Sequence, residues 1–273
     1  MSLLRTLTIS RRRRRRAARM AFLWLRTRRA RRLLRLLVAA PLAVRIIVGT
    51  IVVLTVWSTA NWLYQVVRKP TELFFPVDGV LAKAPAETWR GYGPLFRRHS
   101  TAVITPELLA ALAQVEGSGN PVARTYWRWR LTWNPFEVYQ PASSAVGMYQ
   151  ITDATFDEAK RYCIHDHVVA EDCWFNGLYS RVVPSHAIEM TSALLDRQVA
   201  SAIARHPVAA ATPERKQDLA AVIHLCGPGG GDAYAAHGFR PPARQRCGDH
   251  DVGVYLAQVD RMKRLFTRMA AGG

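Results

Sequence analysis

Residues 46–67, IIVGTIVVLTVWSTANWLYQVV, are 22 consecutive positions without a charge. At 1.5 Å per residue, a helix of that length crosses the ~30 Å hydrocarbon core of a bilayer. Trp57, Trp62 and Tyr64 gather toward its C-terminal end, where amphipathic rings favour the membrane interface. Arg45 closes the other end. Fifteen Arg fall in residues 1–45 and no acid precedes Glu72, whereas Arg68 and Lys69 alone follow the run closely. This bias predicts a single-pass signal anchor with the N-terminus in the cytoplasm and everything beyond about residue 68 across the membrane.

Competing readings of the N-terminal region are weaker. The apolar run is long, starts late and lacks a clear cleavage site, unlike a removable signal peptide. A twin-arginine export signal would need an apolar stretch where Arg26 to Arg35 intervene. The net charge of +18 suggests nucleic acid, but from Glu72 onward 21 Lys+Arg face 20 Asp+Glu. The basicity therefore belongs to the tail, and anionic lipid headgroups are its expected partner rather than RNA or DNA. Met20 offers an alternative start that leaves this topology unchanged.

The expected organisation is an Arg-rich tail (1–45), the anchor (46–67), a stalk and lead-in (68–104) and a folded domain (105–273). Pro70, Pro76, Pro85 and Pro94 mark the lead-in. Thr105-Pro106-Glu107 then supplies an N-cap, a first-turn Pro and an acid. Leu108, Leu112 and Val115 form one apolar stripe, and Gly117, Gly119 and Pro121 end that helix after Glu116. Further helices are predicted at 153–163, 186–205, 213–226 and 251–269, with short strands near 136–140 or 148–151. The class is mainly α.

Cys163, Cys173, Cys226 and Cys247 allow three pairings. Cys163–Cys173 and Cys226–Cys247 each close a short loop and suit an oxidising compartment. The alternative is a Zn²⁺ site from Cys163, His165, His167 and Cys173, at a spacing that fits no standard finger. His186, His206 and His237 read as surface or structural.

Two stretches carry possible chemistry. Glu116-Gly117-Ser118-Gly119-Asn120-Pro121 puts a carboxylate on the last turn of an apolar helix, where the helix dipole favours cations; a surface Glu or a general acid would both fit. Ser143-Ser144-Ala145-Val146-Gly147-Met148-Tyr149-Gln150 is a small-residue loop in which Gln150 offers both a donor and an acceptor. Between them lie Tyr126, Trp127, Trp129, Trp133, Phe136 and Tyr139, a density that lines sugar grooves or packs cores.

In order and content these stretches resemble the soluble lytic transglycosylase family, related to goose-type lysozymes, over about residues 105–260. The family's Glu-Ser-x-Phe-Asn-Pro reads Glu116-Gly117-Ser118-Gly119-Asn120-Pro121, and its Gly-Ala-x-Gly-Leu-Met-Gln reads Ser144 to Gln150. Its Ala-Tyr-Asn-Ala-Gly-Pro-Gly is similar to Ile223-His224-Leu225-Cys226-Gly227-Pro228-Gly229, and a cleft-facing Tyr to Tyr255. Gly117 departs from Ser, Tyr149 from Met, and His224-Leu225 from Tyr-Asn.

The resemblance implies a lysozyme-like fold and cleavage of the β-1,4 bond between N-acetylmuramic acid and N-acetylglucosamine, with a 1,6-anhydro product. It implies Glu116 as acid then base, with no metal or organic cofactor. Gln150, Tyr149, Met148, Tyr139, Ser144, His224 and Tyr255 are the expected substrate contacts. A hydrolytic muramidase would add Glu137, Asp153 or Asp157, and a wall-binding module would keep the groove without turnover. An anchor of this kind implies a bacterial cytoplasmic membrane with the domain in the periplasm, serving wall growth or a secretion or surface apparatus.

Overall fold

A computed structural model describes residues 28–74, 78–171, 173–206, 211–241 and 245–272. The tail expected to meet lipid headgroups lies largely outside them. The chain divides into two compact units, with the boundary between Trp62 and Leu63.

α1 (Arg28–Ala39) lies in the first unit, and α2 (Leu42–Arg68) begins there and ends in the second. α2 is long and apolar enough to cross a membrane by length and composition. The Thr55 and Thr59 hydroxyls donate to the carbonyls of Ile51 and Thr55, each at 2.8 Å, which hides their polarity within the helix.

The second unit is mainly helical. α3 (Asp78–Leu81) and α4 (Pro85–Arg98) precede α5 (Pro106–Gly117), followed by α6 (Asp153–Ala159), α7 (Pro184–Arg205), α8 (Pro213–Ala236) and α9 (Val252–Ala271). Three antiparallel two-stranded ribbons complete it: β1 (Trp127–Trp129) with β2 (Tyr139–Pro141), β3 (Cys163–His165) with β4 (Val168–Ala170), and β5 (Arg246–Cys247) with β6 (His250–Asp251).

α5 starts as its sequence directs, with Thr105 Oγ1 accepting from Leu108 N at 3.3 Å. The expected single stripe is too modest, however. Leu108, Leu109, Ala110, Ala111, Leu112 and Ala113 are all buried, so the helix is enclosed on every side. α4 and α9 pack against it, and α7 packs on α8. Each fully buried Leu contributes about 1.5–3 kcal/mol, which fixes the helix whose last turn carries Glu116.

Several expectations need correction. The segment expected as a short stalk and a lead-in that packs on the domain makes contact with it from Lys69 on, whose Nζ donates to Ala145 O at 2.9 Å. Glu72 is fully buried, accepting from Arg124 Nη1 at 2.7 Å and Trp127 Nε1 at 2.8 Å. Pro85 sits in the first turn of α4 and Pro94 inside it, so these two prolines belong to a helix. α6 stops at Ala159, because Cys163 begins a strand. α8 continues beyond Cys226 through a break at Gly227 (φ 72°).

The cysteines pair as Cys163–Cys173 and Cys226–Cys247. The first bridge consumes both thiols of the alternative Zn²⁺ set. No group of three metal-ligating side chains occurs among the described residues.

Candidate active site

Glu116 lies one residue before the end of α5. Ser118 turns left-handed (φ 49°), and the amides of Ser118 and Gly119 return to Gln114 O and Ala113 O. These bonds satisfy the last carbonyls of the helix. Asn120, buried, then accepts from Val122 N at 2.9 Å through Oδ1, so Asn-Pro turns the chain away and leaves Glu116 facing open space.

A cleft of about 760 Å³ opens over Glu116. The loop before α6 forms one wall, His224 to Cys226 of α8 another, and the β5–β6 turn a third. The Cys226–Cys247 bridge ties the last two together.

Tyr255, on α9, donates its hydroxyl to Glu116 Oε1 at 2.6 Å. Burial, then the adjacent Glu116 carboxylate, holds the Tyr255 phenol well above its ordinary value. It therefore keeps its proton and acts as a permanent donor. Glu116 retains 18% of its side-chain exposure, and Oε2 accepts no hydrogen bond from the described residues. His224 Nε2 stands 3.9 Å from Oε1, beyond hydrogen-bond range but within electrostatic reach.

Gly117 explains the departure from Ser at that position. A Cβ there would lie 2.8 Å from Met148 Cα and 3.0 Å from the carbonyl oxygens of Gly147 and Met148. The Gln150 loop thus passes directly over the end of α5, too close for a side chain. Gly147 has φ 82°, and a Cβ would meet Arg181 O at 2.5 Å. Arg181 staples this loop, donating to Ser144 O at 3.0 Å and Ile151 O at 2.9 Å while pairing with Asp153 at 2.7 Å.

Among the expected substrate contacts, Glu116, Gln150, His224 and Tyr255 come together. Gln150, left-handed at φ 47°, donates Nε2 to Gly147 O at 2.9 Å and Ala123 O at 3.2 Å. It borders both the cleft and an adjoining hollow of about 240 Å³ between α6, α7 and α8.

Three expected contacts are placed elsewhere, and a fourth forms the cleft floor. Met148 is wholly buried, whereas Tyr149 borders the cleft from below, its side chain buried and its hydroxyl donated to Leu109 O at 3.1 Å. Ser144 Oγ accepts from Asp153 N at 3.1 Å and faces a different hollow. Tyr139 packs in the β1–β2 ribbon, 4.7 Å from the Trp129 ring centroid. Glu137, Asp153 and Asp157 pair with Arg68, Arg181 and Lys160, and none of them lines the cleft.

Arg128 and Asp249 line the cleft without having stood out in the sequence, and Tyr126, one of the aromatics noted there, lines it as well. Tyr126 donates to Asp249 Oδ2 at 3.3 Å. The Gly248-Asp249-His250 turn beside Cys247 was the available signal for Asp249.

A mainly helical domain with a carboxylate at the end of its enclosed helix, open to a cleft, has the lysozyme-like form. Residues 95–212 match the family model described as Transglycosylase SLT domain. These residues carry an SLT domain, which supports a transglycosylase-type action on peptidoglycan. No curated protein and no solved structure matches the chain. The matched residues include Glu116 and the Gln150 loop; His224 and Tyr255 lie beyond them.

Proposed function

We propose that this chain is a membrane-anchored lytic transglycosylase that cleaves the N-acetylmuramic acid–β-1,4–N-acetylglucosamine bond with formation of a 1,6-anhydro ring. The observation that carries this reading is Glu116 at the cleft, with one oxygen held by Tyr255 at 2.6 Å and the other accepting no hydrogen bond among the described residues. Because the Tyr255 proton stays on the phenol, the proton that Glu116 exchanges resides on Oε2. Oε2 protonates the glycosidic oxygen as the bond to C1 breaks, and the substrate's N-acetyl oxygen stabilises the cation. The carboxylate then takes the C6 hydroxyl proton as O6 closes on C1, which regenerates the acid. No water enters the balance.

Gln150 presents its amide oxygen to the sugar, since its nitrogen is committed to two carbonyls. His224, 3.9 Å from Glu116, adds positive potential whenever it is protonated. The apolar helix, the Arg-rich segment before it and the two disulfides support placement in a bacterial cytoplasmic membrane with the domain in the periplasm. There the domain meets the wall directly.

Asp249 favours one second reading. It places another carboxylate in the same cleft, as hydrolytic glycosidases require. Full-length protein in detergent, incubated with sacculi and analysed by mass spectrometry, separates the two. Anhydro-ended muropeptides, absent with Glu116→Gln, support the transglycosylase. Reducing ends that disappear with Asp249→Asn establish a muramidase, and no fragments from any protein leave a wall-binding module.

A further inference from the structure

The loop between β1 and β2 exposes apolar side chains that the catalytic reading does not use. Leu131 and Trp133 are fully exposed, and Trp129 is 69% exposed. The loop is nonetheless held in shape. Arg130 N donates to Val138 O at 2.8 Å, Thr132 Oγ1 accepts from Asn134 N, and Asn134 Oδ1 accepts from Phe136 N. Alternation along β1 sets Trp129 on the face opposite Arg128, which lines the cleft, so the apolar tip points away from the sugar site.

Its base is tied to the end of α2. Phe136 stacks on Tyr64 with centroids 5.2 Å apart, Gln65 bonds Phe136 O, and Arg68 pairs with Glu137 at 3.2 Å. Residues 117–136 contain no acid, and Arg128 and Arg130 interleave with the tryptophans. A second prominence, Trp174, Phe175 and Leu178, is also exposed. It directly follows the Cys163–Cys173 bridge and is pinned by Asn176 Nδ2 to Tyr162 O at 2.7 Å. The next residues, Tyr179 to Val182, wall the same hollow as Gln65 to Thr71.

We infer that these two prominences form a collar that, together with Tyr64 to Arg68 of the same unit, inserts into the outer-leaflet interface and holds the Glu116 cleft close to the bilayer. Tryptophan, leucine and interleaved arginine at the root of an apolar helix match the chemistry of a phospholipid headgroup and upper acyl region. A sugar surface would not use Leu131, and in water these side chains would be left exposed. The cleft therefore addresses glycan strands lying nearest the membrane. This inference rests on the proposed spanning of α2.

The test uses the full chain in proteoliposomes of phosphatidylcholine and phosphatidylglycerol, with phosphatidylcholine brominated near the top of its acyl chains as the quencher. In the parent chain, quenching lost on Trp57→Phe/Trp62→Phe reports the span. A chain with Trp24, Trp57 and Trp62 all changed to Phe then reports the domain. The collar predicts that bromolipid still quenches this chain and that adding Trp129→Phe and Trp133→Phe removes at least half of that quenching. Acrylamide should reach the same tryptophans in detergent-free vesicles poorly and in water-exposed controls freely. Unchanged quenching after Trp129→Phe/Trp133→Phe, with the span signal intact, overturns the collar alone. Loss of the span signal overturns the anchoring and the collar together. A fluorescence change produced by soluble glycan strands instead of bromolipid reassigns the tip to sugar and also overturns it.

Discussion

Replacing Gly117 by the Ser that the family motif carries should damage this chain. A Cβ at 117 would stand 2.8 Å from Met148 Cα, at least 0.6 Å short of ordinary contact, and 3.0 Å from two carbonyl oxygens. All three atoms are backbone, so no side chain can swing aside. Either the Gly147–Gln150 loop lifts off α5, or the last turn carrying Glu116 moves. Overpacking of this kind costs about 1–3 kcal/mol. At about 2–4 °C per kcal/mol for a unit of this size, Gly117→Ser should melt roughly 2–12 °C below the parent. A 1 Å displacement at a catalytic group can cost ~100-fold in rate, so cleavage of sacculi should fall by at least about tenfold. The assay pairs thermal unfolding of the full chain in detergent micelles with release of soluble muropeptides. A Gly117→Ser protein that melts within 1 °C of the parent and cleaves at its rate would refute the close-approach argument.

Other outcomes follow from the same geometry. Tyr255→Phe removes a hydrogen bond to a carboxylate, worth about 1.5–3 kcal/mol; kcat should drop about tenfold or more with little change in KM, measured on soluble glycan strands. Glu72→Gln removes the buried carboxylate that pairs with Arg124 at 2.7 Å and Lys69 at 3.5 Å, and should cost about 3–5 kcal/mol in urea unfolding. Burial, partly opposed by Glu189 at 3.7 Å, lowers the His99 imidazole below its ordinary value. The unfolded chain then binds that proton more readily, so the His99 contribution is complete above about pH 6.5 and declines as pH falls toward the native value. Urea midpoints should decrease from pH 7.5 to 5, and His99→Asn should flatten that slope.

What was legible in the sequence is what local chemistry decides. Thr105-Pro106 and Thr212-Pro213 start α5 and α8 where capping requires, and Asp251 caps α9 through Val254 N. The two cystines follow from the closure of short loops. Glu116 stood out because an acid is out of place on the last turn of an apolar helix. The misreadings have tertiary causes. Pro94 was one of the marks of an irregular lead-in, yet it lies inside α4. Tyr149 sits in a run of small residues that suggested exposure, but its ring is buried and its hydroxyl is satisfied by Leu109 O, which no local pattern reveals. The β3–β4 turn places Asp166 and His167 at positive φ without glycine, so the usual hairpin signal was missing. Asp249 reaches the cleft through a disulfide-tied turn far along the chain from Glu116.

The most direct test of the central claim is the source of the oxygen at the new sugar end. Sacculi cleaved by the full-length protein in H₂¹⁸O should yield anhydro-ended muropeptides free of ¹⁸O, and Glu116→Gln should yield none. Products carrying one ¹⁸O at a reducing terminus, or undiminished cleavage by Glu116→Gln, would contradict the single-carboxylate transglycosylase account.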